Sequence, residues 1–166
     1  MIRVHVVGVA LDPSQQHVIL LKPVDSATHG DRVLPVWIGP QEAMSILVAI
    51  ERTGSPRPLA HDLMTAMLGE LSASVDRVEI THLDAGTFHA RVVLNTPAGP
   101  RTFDSRPSDA IALAARADAP ILVADAVFDE AGVPDEAVEL DGGADEDRVE
   151  EFRRFLDDVD PEDFQG

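Results

Sequence analysis

The chain has 166 residues, of which 30 are acidic and 13 basic, giving a formal net charge of −17 at neutral pH with 45% hydrophobic residues. That length suits one domain with a sizeable core and an appendage. The absence of cysteine excludes disulfides, thiolate metal sites and cysteine nucleophiles. A single lysine excludes the basic footprint on which nonspecific nucleic-acid binding ordinarily rests.

The charge is uneven. Residues 125–166 hold 17 acidic residues against three arginines, whereas the preceding 124 hold 13 acidic and 10 basic. We therefore expect a near-neutral domain over 1–124, an acidic connection over 125–143, and a C-terminal amphipathic helix with an acidic tail over 144–166. Arg3 and His5 interrupt the apolar start, which reads as a strand and not as a signal peptide. No apolar run reaches the length of a membrane span. A cytoplasmic protein without a membrane partner is expected.

In chain order, Ile2–Leu11 and Val18–Lys22 are aliphatic runs parted by the polar turn 12–16, and they read as neighbouring strands covered on both faces. Val33–Ile38 is a third strand, which Pro35 assigns to an edge or an irregular pairing. Gly39-Pro40 opens a helix whose stripe is Ala43, Ile46, Leu47 and Ile50. Glu42 lies in its first turn, either as a partner of the helix dipole or as a ligand carboxylate. Arg57-Pro58 opens a second helix, with His61 and Asp62 in its first turn and Leu63, Met67 and Leu71 facing the core. Val75–Leu83 and Thr87–Asn95 alternate around a turn at 84–86 and form a hairpin. In the latter strand His89 shares a solvated face with Arg91. Arg101–Asp104 returns as a third antiparallel strand.

That strand delivers the third helix at Arg106, with Pro107 suited to the first helical position. Ser108 and Asp109 lie in its first turn, as caps or as site residues. The Ala-rich run after them favours helix. Two helix starts share Arg-Pro with an Asp shortly after, and this pattern predicts that they converge. Ile121–Ala124 is a short strand and 127–133 a turn of helix. Val149, Phe152, Phe155, Leu156 and Val159 recur at helical spacing on the charged tail. The element order predicts a mixed α/β (α+β) single domain: a largely antiparallel mixed sheet packed by helices, plus the C-terminal amphipathic helix. No phosphate-binding P-loop, dinucleotide fingerprint or nucleophile elbow is present.

The runs RPSDAIALAAR at 106–116, LPVWIGPQEA at 34–43, RPLAHDLM at 57–64 and GTFHARV at 86–92 resemble, in their order, the bifunctional nuclease family of small bacterial and plant domains, over residues 2–124. The chain departs from the family pattern at Ala60, usually Thr, and at His89, usually Tyr. The resemblance implies a nuclease dependent on a divalent metal and acting on DNA and RNA. In that reading Glu42, Asp104 and Asp109 hold Mg²⁺ or Mn²⁺. His61 is the base with Asp62 beside it, Arg57 or Arg106 clamps phosphate, and Ser108 joins the site. Single-stranded DNA or RNA is then the substrate. The alternative is a non-catalytic homo-oligomeric module whose motif residues are caps and interface links. Either way a homo-oligomer, a dimer, is expected.

Overall fold

The computed structural model describes residues 1–25, 30–53 and 56–135. The expected tail helix lies outside them. Eight strands run in the spatial order β6-β5-β4-β7-β1-β2-β3-β8. They are β1 (Ile2–Leu11), β2 (His17–Pro23), β3 (Arg32–Ile38), β4 (Ser74–Asp84), β5 (Thr87–Asn95), β6 (Arg101–Ser105), β7 (Ile121–Val123) and β8 (Val133–Pro134). Four helices interleave with them: α1 (Pro40–Ile50), α2 (Ala60–Glu70), α3 (Pro107–Ala117) and α4 (Asp125–Ala131). Every neighbouring pair of strands is antiparallel except β4 and β7. This is the expected α/β class with a mixed, largely antiparallel sheet.

Period-two alternation drives the assembly. Ile2, Val4, Ile19, Leu21, Leu34, Val36, Val78, Ile80, Ala90, Val92, Ile121 and Val123 form one core with Ala43 and Ile46 of α1, the Ala-Ile-Ala-Leu-Ala run of α3, and Val127 and Phe128 of α4. The residues of α3 are buried over its first two turns, from Pro107 to Ala114, so this helix lies deepest and carries its first turn to a fixed place. On the other face of the sheet, burial of Ala10, Val18 and Leu20 is confined to a small cluster. β2 is thus covered on both faces, while Arg3, His5 and Val7 of β1 are exposed.

Pro35 pairs with Leu20 of β2. β8 covers β3 only at Arg32 and Val33, so Pro35 lies where that strand has an open edge, as its missing N–H requires. The β4–β5 hairpin turns through two residues, with Asp84 opposite Thr87. Ala85 and Gly86 both take positive φ, 46° and 80°, which is the two-residue turn that matches strand twist.

The structure departs from expectation at α2. Helical spacing points Leu63, Met67 and Leu71 toward the core, yet they are 54%, 55% and 70% exposed. α2 instead turns buried His61 and the half-buried Thr65 and Leu68 inward. Periodicity finds a stripe but not the side on which the protein lies. The turn of helix expected at 127–133 is α4, followed by β8, and Phe128 is fully buried. Arg32 holds this segment by donating to the carbonyls of Phe128 and Gly132 at the end of α4 (3.3 and 2.7 Å), and Lys22 pairs with Asp135 at 2.6 Å.

Candidate functional site

α1, α2 and α3 each begin after an extended residue, Gly39, Leu59 and Arg106 respectively, and each has an acidic residue in its first turn: Glu42, Asp62 and Asp109. Those positions satisfy the positive ends of the helices, and tertiary packing then decides what else each carboxylate does.

Arg106 is the hub. Its Nε and Nη2 donate to the two carboxylate oxygens of Asp109 at 2.7 and 3.1 Å, and its Nη1 donates to Glu42 Oε1 at 2.8 Å. A guanidinium has five donors in a planar fork, so two remain, on a side chain that is 64% exposed. Burial alone would raise the pKa of Asp109. The hydrogen bonds and charge of Arg106, and then His61, outweigh it and hold this carboxyl below its ordinary value. The same pairing raises the pKa of Arg106. Glu42 folds back over its own helix start: a Cβ on Gly39 would lie 2.3 Å from Glu42 Oε2. Only glycine leaves that carboxylate where Arg106 meets it.

Behind this pair sits His61, buried, with Nε2 at 3.3 Å from Asp109 Oδ1 and Nδ1 at 2.9 Å from Ser45 Oγ. Ionised Asp109 takes the Nε2–H, which leaves Nδ1 to accept from the Ser45 hydroxyl; this tautomer is assigned from the network. Both ring nitrogens therefore have protein partners. Ser45 was not singled out in the sequence. It lies three residues after Glu42 on α1, the spacing that puts two side chains on one helix face, and that was the available signal.

Glu42, Arg106 and Ser108 also line a cleft of about 800 Å³. Its other walls are the β1–β2 turn (Gln15, Gln16, His17), the end of β3 with Trp37, and Gly86, Thr87 and Phe88 of the β4–β5 hairpin.

The structure brings together Glu42, His61, Arg106 and Asp109, with Ser108 on the cleft wall, and it does not bring in Arg57, Asp62 or Asp104. Arg57 is exposed. Helix α2 starts at Ala60, with Leu59 as its cap, so Arg57 falls two residues short of the cap position that Arg106 occupies. Asp62 follows His61, and adjacent helical side chains diverge by about 100°. It bonds Arg116 of α3 and accepts from its own helix start, Leu59 N–H, at 2.8 Å. Asp104 is exposed on β6, in register with Arg91. The two starts that share Arg-Pro thus meet through His61 and Asp109, and not through their arginines. Ala60 is exposed beside His61, and His89 stacks on His82 across the β4–β5 pair at 4.3 Å between centroids.

Glu42 and Asp109, two of the carboxylates expected to hold Mg²⁺ or Mn²⁺, are engaged here by Arg106. Such ions take several oxygen ligands around an open centre. Here the two carboxylates that approach one another meet on a guanidinium, Asp104 stands apart, and the described residues contain no group of three acidic or histidine side chains placed to hold a metal. No helix among the described residues is long and apolar enough to cross a membrane.

Comparison with known proteins bears on this arrangement. Residues 19–136 match the family model described as the Bifunctional nuclease domain. An uncharacterized protein of Mycobacterium tuberculosis (strain H37Rv) is 40% identical over 167 residues, covering 98% of each chain. Bifunctional nuclease 1 of Oryza sativa subsp. indica is 28% identical over 115 residues, which are 68% of this chain and 34% of the rice protein. The Bifunctional nuclease of Oryza minuta matches to the same extent.

Proposed function

From the premise that the chain belongs to the bifunctional nuclease domain family, we propose that it hydrolyses phosphodiester bonds of DNA and RNA in the cleft where α1 and α3 begin. The observation that supports this most is Arg106. It is a half-committed, exposed guanidinium at a helix start, held by two carboxylates with two donors to spare, and helix starts and arginine forks both favour phosphate oxygens. In this reading Arg106 binds the phosphate and meets the negative charge that grows on it. Glu42, on the same wall, takes a proton from the attacking water. The water oxygen bonds to phosphorus, the bond to the leaving sugar oxygen breaks, and bulk water protonates that oxygen. Asp109 and His61 act as positioning residues, keeping the guanidinium aimed.

The test is cleavage of single-stranded DNA and RNA by rigorously purified protein, with EDTA and with added Mn²⁺ or Mg²⁺. Glu42→Gln and Arg106→Ala are expected to lose about 10²–10⁴-fold in kcat. Asp109→Asn and His61→Ala are expected to fall in the same direction and also to lower the melting temperature, because both side chains tie α2 to the body, so their activities are compared well below those melting temperatures. Cleavage that persists in EDTA fits the donor set above, whereas a strict need for added cation would return Glu42 and Asp109 to the role of ligands. Wild type that cleaves neither polymer under any of these conditions would sink the proposal.

A second reading, a homo-oligomeric module, has its own support. The outward face of α2 carries Leu63, Met64, Met67 and Leu71, each between 46% and 70% exposed. An oligomer is compatible with hydrolysis, whereas a module without catalysis is not, and the cleavage test above decides between them.

A further inference from the structure

The chain has one tryptophan, six phenylalanines and no tyrosine, and that tryptophan is not spent on the core. Trp37 is 53% exposed near the end of β3, two residues before Gly39, and it lines the cleft with Glu42, Arg106 and Ser108. A large aromatic ring left half in water contributes little of the burial for which such side chains are usually kept. It is nevertheless held in place. The indole Nε1–H donates to Asp12 Oδ2 at 3.0 Å. The other oxygen of Asp12 accepts from the backbone N–H groups of Ser14 and Gln16 at 2.8 and 3.0 Å. The bonds from Gln16 and then Trp37 hold Asp12 below its ordinary pKa, so the anchor stays ionised at neutral pH.

We propose that Trp37 is the platform on which a base of a single-stranded nucleic acid stacks, placing the adjoining phosphate at Arg106. This inference rests on the phosphodiesterase reading and adds what that reading lacks, which is the residue that selects an unpaired strand and the source of its binding. A base buried in a duplex offers no free face, whereas an unpaired base does, and stacking on aromatic rings tolerates any sequence. Gln15 and Gln16, on the neighbouring wall, carry amides that both donate and accept toward a base edge. The electrostatics point the same way. Among the described residues lining the cleft, Arg106 alone carries a fixed positive charge, and the chain as a whole carries −17. Attraction between charges cannot supply the affinity of this site, and stacking can.

The lone tryptophan makes the test direct. Intrinsic fluorescence of the full chain is titrated with a short thymidine strand, with a uridine strand, and with a duplex of matched length, all carrying cleavage-resistant phosphorothioate links. The single strands are expected to quench Trp37 emission and the duplex to leave it unchanged; the DNA and RNA arms report which sugar is preferred. By anisotropy of a labelled strand, Trp37→Ala is expected to bind roughly 5- to 100-fold more weakly, with Trp37→Phe near wild type. Log affinity should fall with log salt with a slope near 0.7, the value for about one phosphate contact on a single strand. Absence of quenching by either strand, or wild-type affinity in Trp37→Ala, overturns the proposal, as does a salt slope of several units, which would place binding on another surface. The two readings fail separately. Quenching with no cleavage defeats only the hydrolase, and undiminished cleavage by Trp37→Ala with an unchanged KM defeats only the platform.

Discussion

Among the described residues, Asp62, Glu79 and Asp109 are held ionised against their burial. Glu79 is 3% exposed, although it sits among charged residues on the face of the sheet away from the helices. Arg77 and Arg91 approach it at 2.6 and 2.5 Å. Burial pushes its pKa up, and the two guanidiniums more than reverse that. The same contest is won by Arg116 at Asp62 and by Arg106 at Asp109. The folded state therefore binds these protons more weakly than the unfolded chain, whose ordinary values are 3.8 for Asp and 4.5 for Glu. The stability they contribute is complete above those values and is lost as pH falls through the lower, folded ones. Urea midpoints should stay level from pH 7 to about 5 and drop steeply below about 4, and Glu79→Gln should flatten part of that drop. A midpoint that holds or rises down to pH 3 would show that these pairs contribute nothing.

At the level of elements, α2 is the part of the fold whose packing is unfinished. Its inner side is tied to the body by polar contacts, His61 to Ser45 and Asp109, and Asp62 to Arg116. Its outer side offers two leucines and two methionines, an area of the few-hundred-Å² scale at which apolar surface marks an interaction site. Between Asp62, which is turned inward, and Glu70 this face has no charge. A second copy of so acidic a chain can approach most easily through an uncharged face, so the prediction is that the chain dimerises and does so through α2. Light scattering after size exclusion should give about twice 17.8 kDa for wild type, and Leu63→Glu combined with Met67→Glu should give the single-chain mass with the melting temperature little changed, since exposed helix positions tolerate Glu. Wild type at the single-chain mass at micromolar concentration refutes the assignment.

Over the whole molecule, charge is segregated. Residues 136–166 hold 13 acidic residues against three arginines, so they carry ten of the 17 net negative charges, while the body before them carries the cleft. If the substrate is a polyanion, as proposed, this net charge opposes its approach, and such fields change association rates steeply with ionic strength. A chain ending at residue 135 should bind a single strand faster than the full chain at low salt, with the two rates converging by about 0.5 M salt, where the screening length is only a few ångströms. Equal rates at low salt would mean that the tail does not shape access. The sequence alone determined β1 to β7, the starts of α1 and α3 and the class of fold, because alternation, Pro and Gly punctuation and acidic first turns are local signals; the start of α2 fell at Ala60 and not at Arg57-Pro58. The sequence also singled out Glu42, His61, Arg106, Ser108 and Asp109, all of which lie in or beside first helical turns. Tertiary structure alone decided which of those turns meet. It paired Arg106 with Glu42 across 64 residues and His61 with Asp109 across 48, left Arg57 and Asp104 outside, brought in Ser45 and Trp37, and turned the apolar stripe of α2 outward. The reason is geometric: period and propensity describe a residue's place on its own element, whereas a site is made of distances between elements, and those follow only once the core has fixed how the helices lie on the sheet.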